Sequence, residues 1–279
     1  MEDIKIPSRR FYNNKHYFLD YENKVLRVEE NILKEMQSNK PGTFKGFKKI
    51  TGSALSNILK LTSFDSQFKG FVNICRFDMP IINTMYVDAG KAVEPKVIER
   101  IQPKFDEVIQ RFEAEQYNYD YFKSNELFGG LPDGYVENQK LIIEIKTVGE
   151  KNLEKWTTNG VTPGYIKQAQ LYTYLMGAKK FTIVGCFLKK EDYDHPELVD
   201  VRFRKIKNWN YELNEAQVLD DMKKCKDFFD KYTSLGVSPQ WDEKVDMDLI
   251  KYLACTNEQE WKELYLKWVE DEKRKSSEQ

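Results

Sequence analysis

The sequence predicts an α/β (α+β) protein in which strands and amphipathic helices share a core. Three observations carry this. Phe181–Leu188 is an unbroken apolar run of strand length, as a central strand requires. Leu141–Lys146 alternates along a second strand. Val93, Val97, Ile98, Ile101 and Phe105 recur at helical spacing, and Asn214–Tyr232 repeats that pattern.

Composition narrows the class. At 279 residues the chain suits one large domain or two small ones. Hydrophobic residues make up 41% and aromatics 14%, enough for a sizeable core. No apolar run approaches the ~18 residues of a membrane span, so no membrane partner is expected. Met1–Lys5 begins acidic without the apolar stretch of a signal peptide, so a cytoplasmic location is expected. Cys75, Cys186, Cys225 and Cys255 form no CxxC pair, which argues against a zinc ribbon or iron–sulfur site and for reduced core thiols. Two histidines argue against a histidine-based zinc site; His195 falls in a loop. Net charge is −1, yet residues 40–104 carry eleven Lys and Arg against five Asp and Glu. Such a basic face suits phosphate contacts, or is a solvated surface.

Residues 1–40 are polar with scattered aromatics and one short helix, Val28–Met36, and show no chemistry. Lys40-Pro41-Gly42-Thr43 is a break, followed by the basic Lys45, Lys48 and Lys49. Ile50–Leu59 opens a helix that Thr51 or Ser53 can cap. A hydroxyl there, beside lysines, is an ordinary cap or an anion site. Leu61–Ile82 is expected to be loop. A helix from Lys91 to about Glu113 follows, with Pro95 in its first turn and Glu94 where the dipole favours an acid. After the Pro132–Lys146 hairpin, Val148–Pro163 is expected to be a loop offering Trp156 to substrate. Gly164–Gly177 is a helix on which Gln168/Tyr172 and Gln170/Tyr174 form i, i+4 pairs. Val199–Ile206 alternates as a half-solvated strand. Gly236–Trp241 turns into a short helix near Asp246–Leu253. The last helix starts near Glu258, and its Trp261, Leu264, Tyr265 and Trp268 stripe suits core or a subunit contact. Lys273–Gln279 is expected to be disordered.

The Pro132–Lys146 hairpin carries the chemistry. Leu141, Ile143 and Ile145 share one strand face; Ile142, Glu144 and Lys146 share the other. Asp133, in the turn that precedes them, falls beside Glu144 and Lys146. Unlike charges on an apolar strand need partners. A divalent metal on Asp133 and Glu144 would neutralise the acids and leave Lys146 to steer a water. Alone, Pro132-Asp133-Gly134 also reads as a plain turn.

Taken together, these residues resemble the lambda-exonuclease or YqaJ-type viral recombinase family of the PD-(D/E)xK nuclease superfamily. The signature is Pro132-Asp133, a ten-residue spacer, then Glu144-Ile145-Lys146. Ile50-Thr51-Gly52-Ser53 is similar to the family's Ile-Thr-(Ala/Gly)-Ser. Gly90–Pro95 is similar to its Gly-x-x-x-Glu-Pro helix, and Gln168–Tyr172 to its glutamine helix. The resemblance covers about residues 45–190, with a weaker echo at Gly236–Trp241. It implies a restriction-endonuclease-like core with a central mixed β-sheet flanked by helices, and extra N- and C-terminal helical segments. One nuclease domain over 1–279 would divide into an extension (1–44), the core (45–210) and C-terminal helices (211–279).

The resemblance also implies an activity: a magnesium-dependent 5′-to-3′ exonuclease on double-stranded DNA ends, leaving 3′ single strands for phage-type recombination. Glu94, Asp133, Glu144 and the Ile145 carbonyl would hold magnesium, two ions in all, with manganese as substitute. Lys146 would orient the attacking water, and Gln168 would orient Lys146 or a phosphate with Tyr172 packed behind. Ser53, Thr51, Lys45, Lys48 and Lys49 would contact phosphate. The implied partners are a single-strand annealing protein and a ring trimer of the chain, and the implied location is a bacterial or phage-infected cytoplasm. One departure is visible. The family's arginine ahead of the Ile-Thr-Ala-Ser segment, which helps hold the 5′ phosphate, has no counterpart between Arg27 and Ile50, where only lysines stand. Alternatives of other kinds are a structure-specific endonuclease or DNA-repair nuclease on the same fold, a non-catalytic DNA-binding module, and a protein whose acids are only turn and surface residues.

Overall fold

A computed structural model describes residues 4–277. The chain forms two compact units interleaved in sequence. One draws on the chain up to Ile50, on Ser56–Asn83 and on the chain from Lys224 onward; the other comprises Thr51–Leu55 and Thr84–Lys223.

The first unit begins with a hairpin, β1 (Tyr17–Asp20) and β2 (Val25–Val28), paired antiparallel, and then α1 (Glu30–Gln37). The helix expected over Val28–Met36 therefore starts two residues late, and Val28 closes a strand. α2 (Gly52–Leu59) starts where the Thr51 signal places it; its opening, as far as Leu55, belongs to the second unit and the rest to the first. The expected loop over Leu61–Ile82 holds a helix, α3 (Gln67–Ile74), whose N-cap Ser66 accepts the Lys69 N–H. Phe68, Phe71 and Ile74 are fully buried there, a helical spacing that the surrounding aromatics obscured in the sequence.

The second unit contains the sheet. α4 (Met85–Ile101) starts six residues before its expected start and stops at a 3-10 turn containing Pro103, well short of Glu113. Pro95 is thus in the helix interior, where it leaves the Lys91 carbonyl without its helical donor. Glu94 is mid-helix, beyond the reach of the dipole at the N-terminus. A single turn, α5 (Ala114–Tyr117), precedes β3 (Gly134–Val136) and β4 (Leu141–Gly149). α6 (Lys151–Asn159) and α7 (Pro163–Leu175) cross over to β5 (Lys180–Leu188), and β6 (Lys205–Glu212) completes the sheet before α8 (Glu215–Leu235). The strand order is β3-β4-β5-β6, with β4 and β5 parallel and the outer pairs antiparallel, so the sheet is mixed as expected.

Two further expectations change. Val148–Pro163 holds the end of β4 and the helix α6 and is not a loop throughout. Its Trp156 is 2% exposed, ringed by Phe187, Trp209 and Tyr165, and Gly185 leaves it room; it is core and not a substrate contact. Val199–Ile206 is not a strand. Val199 and Val201 enter the core from turns, while Arg202 folds back onto Asp200 and bends the chain. The strand starts at Lys205.

In the first unit, α9 (Glu243–Ala254) and α10 (Glu258–Ser277) follow. Trp261 is 1% exposed, packs on Tyr252 and Tyr265 and donates to the Pro7 carbonyl, so the stripe's centre belongs to its own unit's core. α10 continues through the segment expected to be disordered as far as Ser277; residues 278–279 lie outside the described residues. All four cysteines are buried and unbridged. The described residues contain no helix long and apolar enough to cross a membrane.

Candidate active site

β4 is where the site is built. Its odd face, Leu141, Ile143 and Ile145, is buried with Val93, Val97, Ile98 and Ile101 of α4. That packing forces Glu144 and Lys146 onto the opposite face. β3 pairs with β4 only as far as Gly134↔Ile143. Past this point the edge of β4 opens, and the Ile145 N–H is taken by Asp133 Oδ2 at 2.6 Å instead of by a strand carbonyl. A side chain thus continues the ladder, and it brings a carboxylate to Glu144.

Glu144 is 0% exposed. Its Oε2 accepts Lys146 Nζ at 2.9 Å, and its Oε1 is buried with no hydrogen bond. Burial, and then the charge on Asp133, lift Glu144 to about 8. Burial and Asp133 likewise lift Glu94 to about 7. Asp133 is raised by burial, against the pull of Lys146 and the Ile145 N–H. For Lys146, burial works to lower the pKa, but Glu144 and Asp133 outweigh it and keep the ammonium protonated. Three acids that burial and mutual repulsion bias towards the neutral form, around one lysine, are an arrangement that a cation would relieve.

The donor set fits a divalent cation. Carboxylate and carbonyl oxygens are the hard ligands magnesium prefers, and the orphaned Glu144 Oε1 is a buried acceptor that costs free energy until something takes it up. Among the described residues, no three His, Cys, Asp or Glu side chains are grouped so as to hold a metal ion; the fit rests on that free oxygen and on the raised acids.

α7 closes the far side. Gln168 Nε2 reaches Tyr172 Oη at 3.5 Å, and burial followed by the charge on Glu144 raises the Tyr172 phenol, keeping it neutral. Gln170 faces away and pairs with Gln217 of α8, so the structure selects Gln168/Tyr172 of the two i, i+4 pairs. The opening of α2 meets Gln168: a Cβ at Gly52 would lie 2.8 Å from its side chain. Thr51 and Ser53 flank that glycine, their hydroxyls 3.5 Å apart. The structure therefore gathers Thr51, Ser53, Glu94, Asp133, Glu144, Ile145, Lys146, Gln168 and Tyr172 in one unit. Lys45, Lys48 and Lys49 belong to the other unit, where Lys45 pairs with Glu35 and Lys48 with Asp78.

No family model matches the chain. An uncharacterized protein of Mycoplasma genitalium, MG373, is 25% identical over 238 residues, 71% of this chain and 85% of that protein. Among solved structures, an alkaline exonuclease from Laribacter hongkongensis superposes with a TM-score of 0.50 at 18% identity, covering 73% of this chain and 94% of that one. Its complex with dAMP gives 0.51 with the same identity and coverage. The chain has the fold of this alkaline exonuclease.

Within the alkaline-exonuclease fold, two residues that sequence reasoning passed over support the site. Gly130 has φ +145°, and a Cβ there would lie 2.2 Å from Tyr172 Oη, so only glycine admits the tyrosine. The Gly129-Gly130 pair ahead of Pro132 was the available signal. Tyr165 lies one turn before Gln168, its ring centroid 5.3 Å from Lys146 Nζ, a cation–π contact that helical spacing from Gln168 would have suggested.

Proposed function

We propose that this chain is a magnesium-dependent DNA exonuclease of the lambda-exonuclease type. It would digest duplex ends 5′ to 3′ and leave 3′ single strands. The observation that carries the reading is the open fork at β3–β4, where Asp133, Glu144 and Lys146 meet with one buried carboxylate oxygen unclaimed. The fold shared with an alkaline exonuclease supports it, as does that protein's complex with dAMP, a nucleotide.

Glu94, Asp133, Glu144 and the Ile145 carbonyl would hold the metal. When bound, magnesium lowers the pKa of a coordinated water and offsets charge on the attacking and leaving oxygens. The chain's own groups do the rest. Lys146, fixed by Glu144 on one side and the Tyr165 ring on the other, presents its ammonium to the attacking water and the scissile phosphate. Gln168, braced by Gly52 and Tyr172, orients Lys146 or a neighbouring phosphate. Thr51 and Ser53 offer hydroxyls at a helix N-terminus to a terminal or backbone phosphate. With Lys45 and Lys48 already paired to acids, these hydroxyls are the principal grip on a 5′ phosphate.

The test is digestion of end-labelled linear duplex, with and without magnesium, comparing 5′-phosphate with 5′-hydroxyl ends and linear with circular DNA. Release of nucleotides from 5′ ends of linear DNA only, and only with magnesium, is expected. Cleavage of circular duplex would make the protein an endonuclease. DNA binding without cleavage would make it a non-catalytic module. The same substrates in the presence of a single-strand annealing protein, and the mass of the protein by light scattering, test the proposed partner and ring trimer.

A further inference from the structure

The loop after α5 holds a residue its local structure does not need. Asn118 and Tyr119 have φ +50° and +61°. Asn118 is explained, since asparagine often closes a helix in this conformation, and the Tyr119 N–H behind it reaches the Ala114 carbonyl at 2.8 Å. Tyr119 is not. A bulky side chain in the left-handed region is strained where glycine or asparagine would not be. Nor does packing offset the strain: Tyr119 is 68% exposed, and among the described residues its side chain has no hydrogen-bond or ring partner.

The strained residue is also anchored to the site. Gly130 N–H donates to Asp120 Oδ1 at 3.2 Å, and Tyr121 N–H donates to the Gly130 carbonyl at 2.8 Å. Gly130 is pressed against Tyr172, and Phe122 packs on the Tyr172 ring at 5.7 Å. On either side of Tyr119 in sequence, Tyr117 and Tyr121 meet each other at a tilt and meet Phe112 edge-on. The Tyr119 ring thus stands out to solvent one residue from Asp120, which holds Gly130 against Tyr172 beside the acids. Strain retained next to a site is a mark of function.

We propose that Tyr119 is a stacking platform for an unpaired nucleobase of the DNA strand at the site. An aromatic face binds any base, which suits an enzyme that reads no sequence, and it holds a strand end that has left the duplex. This inference rests on the reading of the site as a DNA nuclease.

The test uses a linear duplex with a short single-stranded end carrying 2-aminopurine, bound without divalent cation. Tyr119→Ala is expected to weaken binding about tenfold and to abolish the quenching of 2-aminopurine that stacking causes; Tyr119→Phe keeps both. Tyr119→Gly weakens binding equally while raising the melting temperature, because strain is relieved, a combination a merely structural tyrosine would not produce. If Tyr119→Ala binds and quenches as the wild type does, and the wild type digests DNA with magnesium, the stacking role is overturned and the nuclease reading stands. If the wild type neither binds nor digests DNA, the nuclease reading fails and the stacking role falls with it.

Discussion

The two halves of β4 have the same composition problem and opposite solutions. From Leu141 to Ile143 the strand is paired on both edges, to β3 and to β5, and its side chains are apolar and buried. From Glu144 onward only β5 remains, the freed edge is held by Asp133, and the face opposite Ile145 carries a buried acid and a partly buried lysine. The first half stabilises the fold. The second half is destabilised by burying charges, and the same burial pushes the Glu144 carboxyl up. One strand can do both because its closed half fixes the register that aims the open half.

That contrast can be broken from either side. The largest expected effect is in the open half: Asp133→Ala or Lys146→Ala should lower digestion of linear duplex by roughly a thousandfold or more, with far-ultraviolet circular dichroism unchanged. Wild-type digestion by either variant would refute the site. In the closed half, Ile143→Ala should destabilise the protein by about 2–5 kcal/mol in urea unfolding, while the residual folded protein digests DNA at the normal rate.

The acids make a third prediction, with its sign set by linkage. Glu94 and Glu144 have pKa values raised to about 7 and about 8 from the ordinary 4.5. Their favourable protonated forms are complete below about pH 4.5, and that stabilisation is lost as pH rises through 7 and 8. Without metal the protein should therefore melt at lower temperature at pH 8 than at pH 6. Glu144→Gln should raise the metal-free melting temperature at pH 8 by roughly 3 °C or more, and magnesium should raise that of the wild type but much less that of the variant. A melting temperature that climbs from pH 6 to pH 8 without metal would contradict it. The smallest expected effect lies at the rim: Thr51→Ala with Ser53→Ala should weaken binding of 5′-phosphorylated ends by about fivefold and hardly change binding of 5′-hydroxyl ends.

The sequence carried the opening of this site and only part of its frame. Glu144 and Lys146 were legible on one face because a strand has a fixed period of two, and Asp133 because it stands in the turn just ahead of them. Gln168/Tyr172 was legible as a helical pair but not separable from Gln170/Tyr174; the contact of Gln170 with Gln217 decides that, and it lies 47 residues away. Trp156 looked like a substrate contact because its surroundings are polar in sequence, yet Phe187 of β5 and Trp209 of β6 close over it. Val199–Phe203 kept a strand's alternation while being bent by the Asp200–Arg202 pair, a local interaction that periodicity does not register.

By itself the sequence determined the fold class, the hairpin that carries Asp133 and Glu144, and the shared face of Glu144 and Lys146, since all of these follow from local spacing. Only the tertiary structure decided which oxygen of Glu144 is left unclaimed, that Gly130 and Gly52 are vacant of side chains for Tyr172 and Gln168, and that Glu94 sits mid-helix with its carboxyl pushed up by burial and then by Asp133. These depend on distances between elements far apart in the chain, and no local period encodes them.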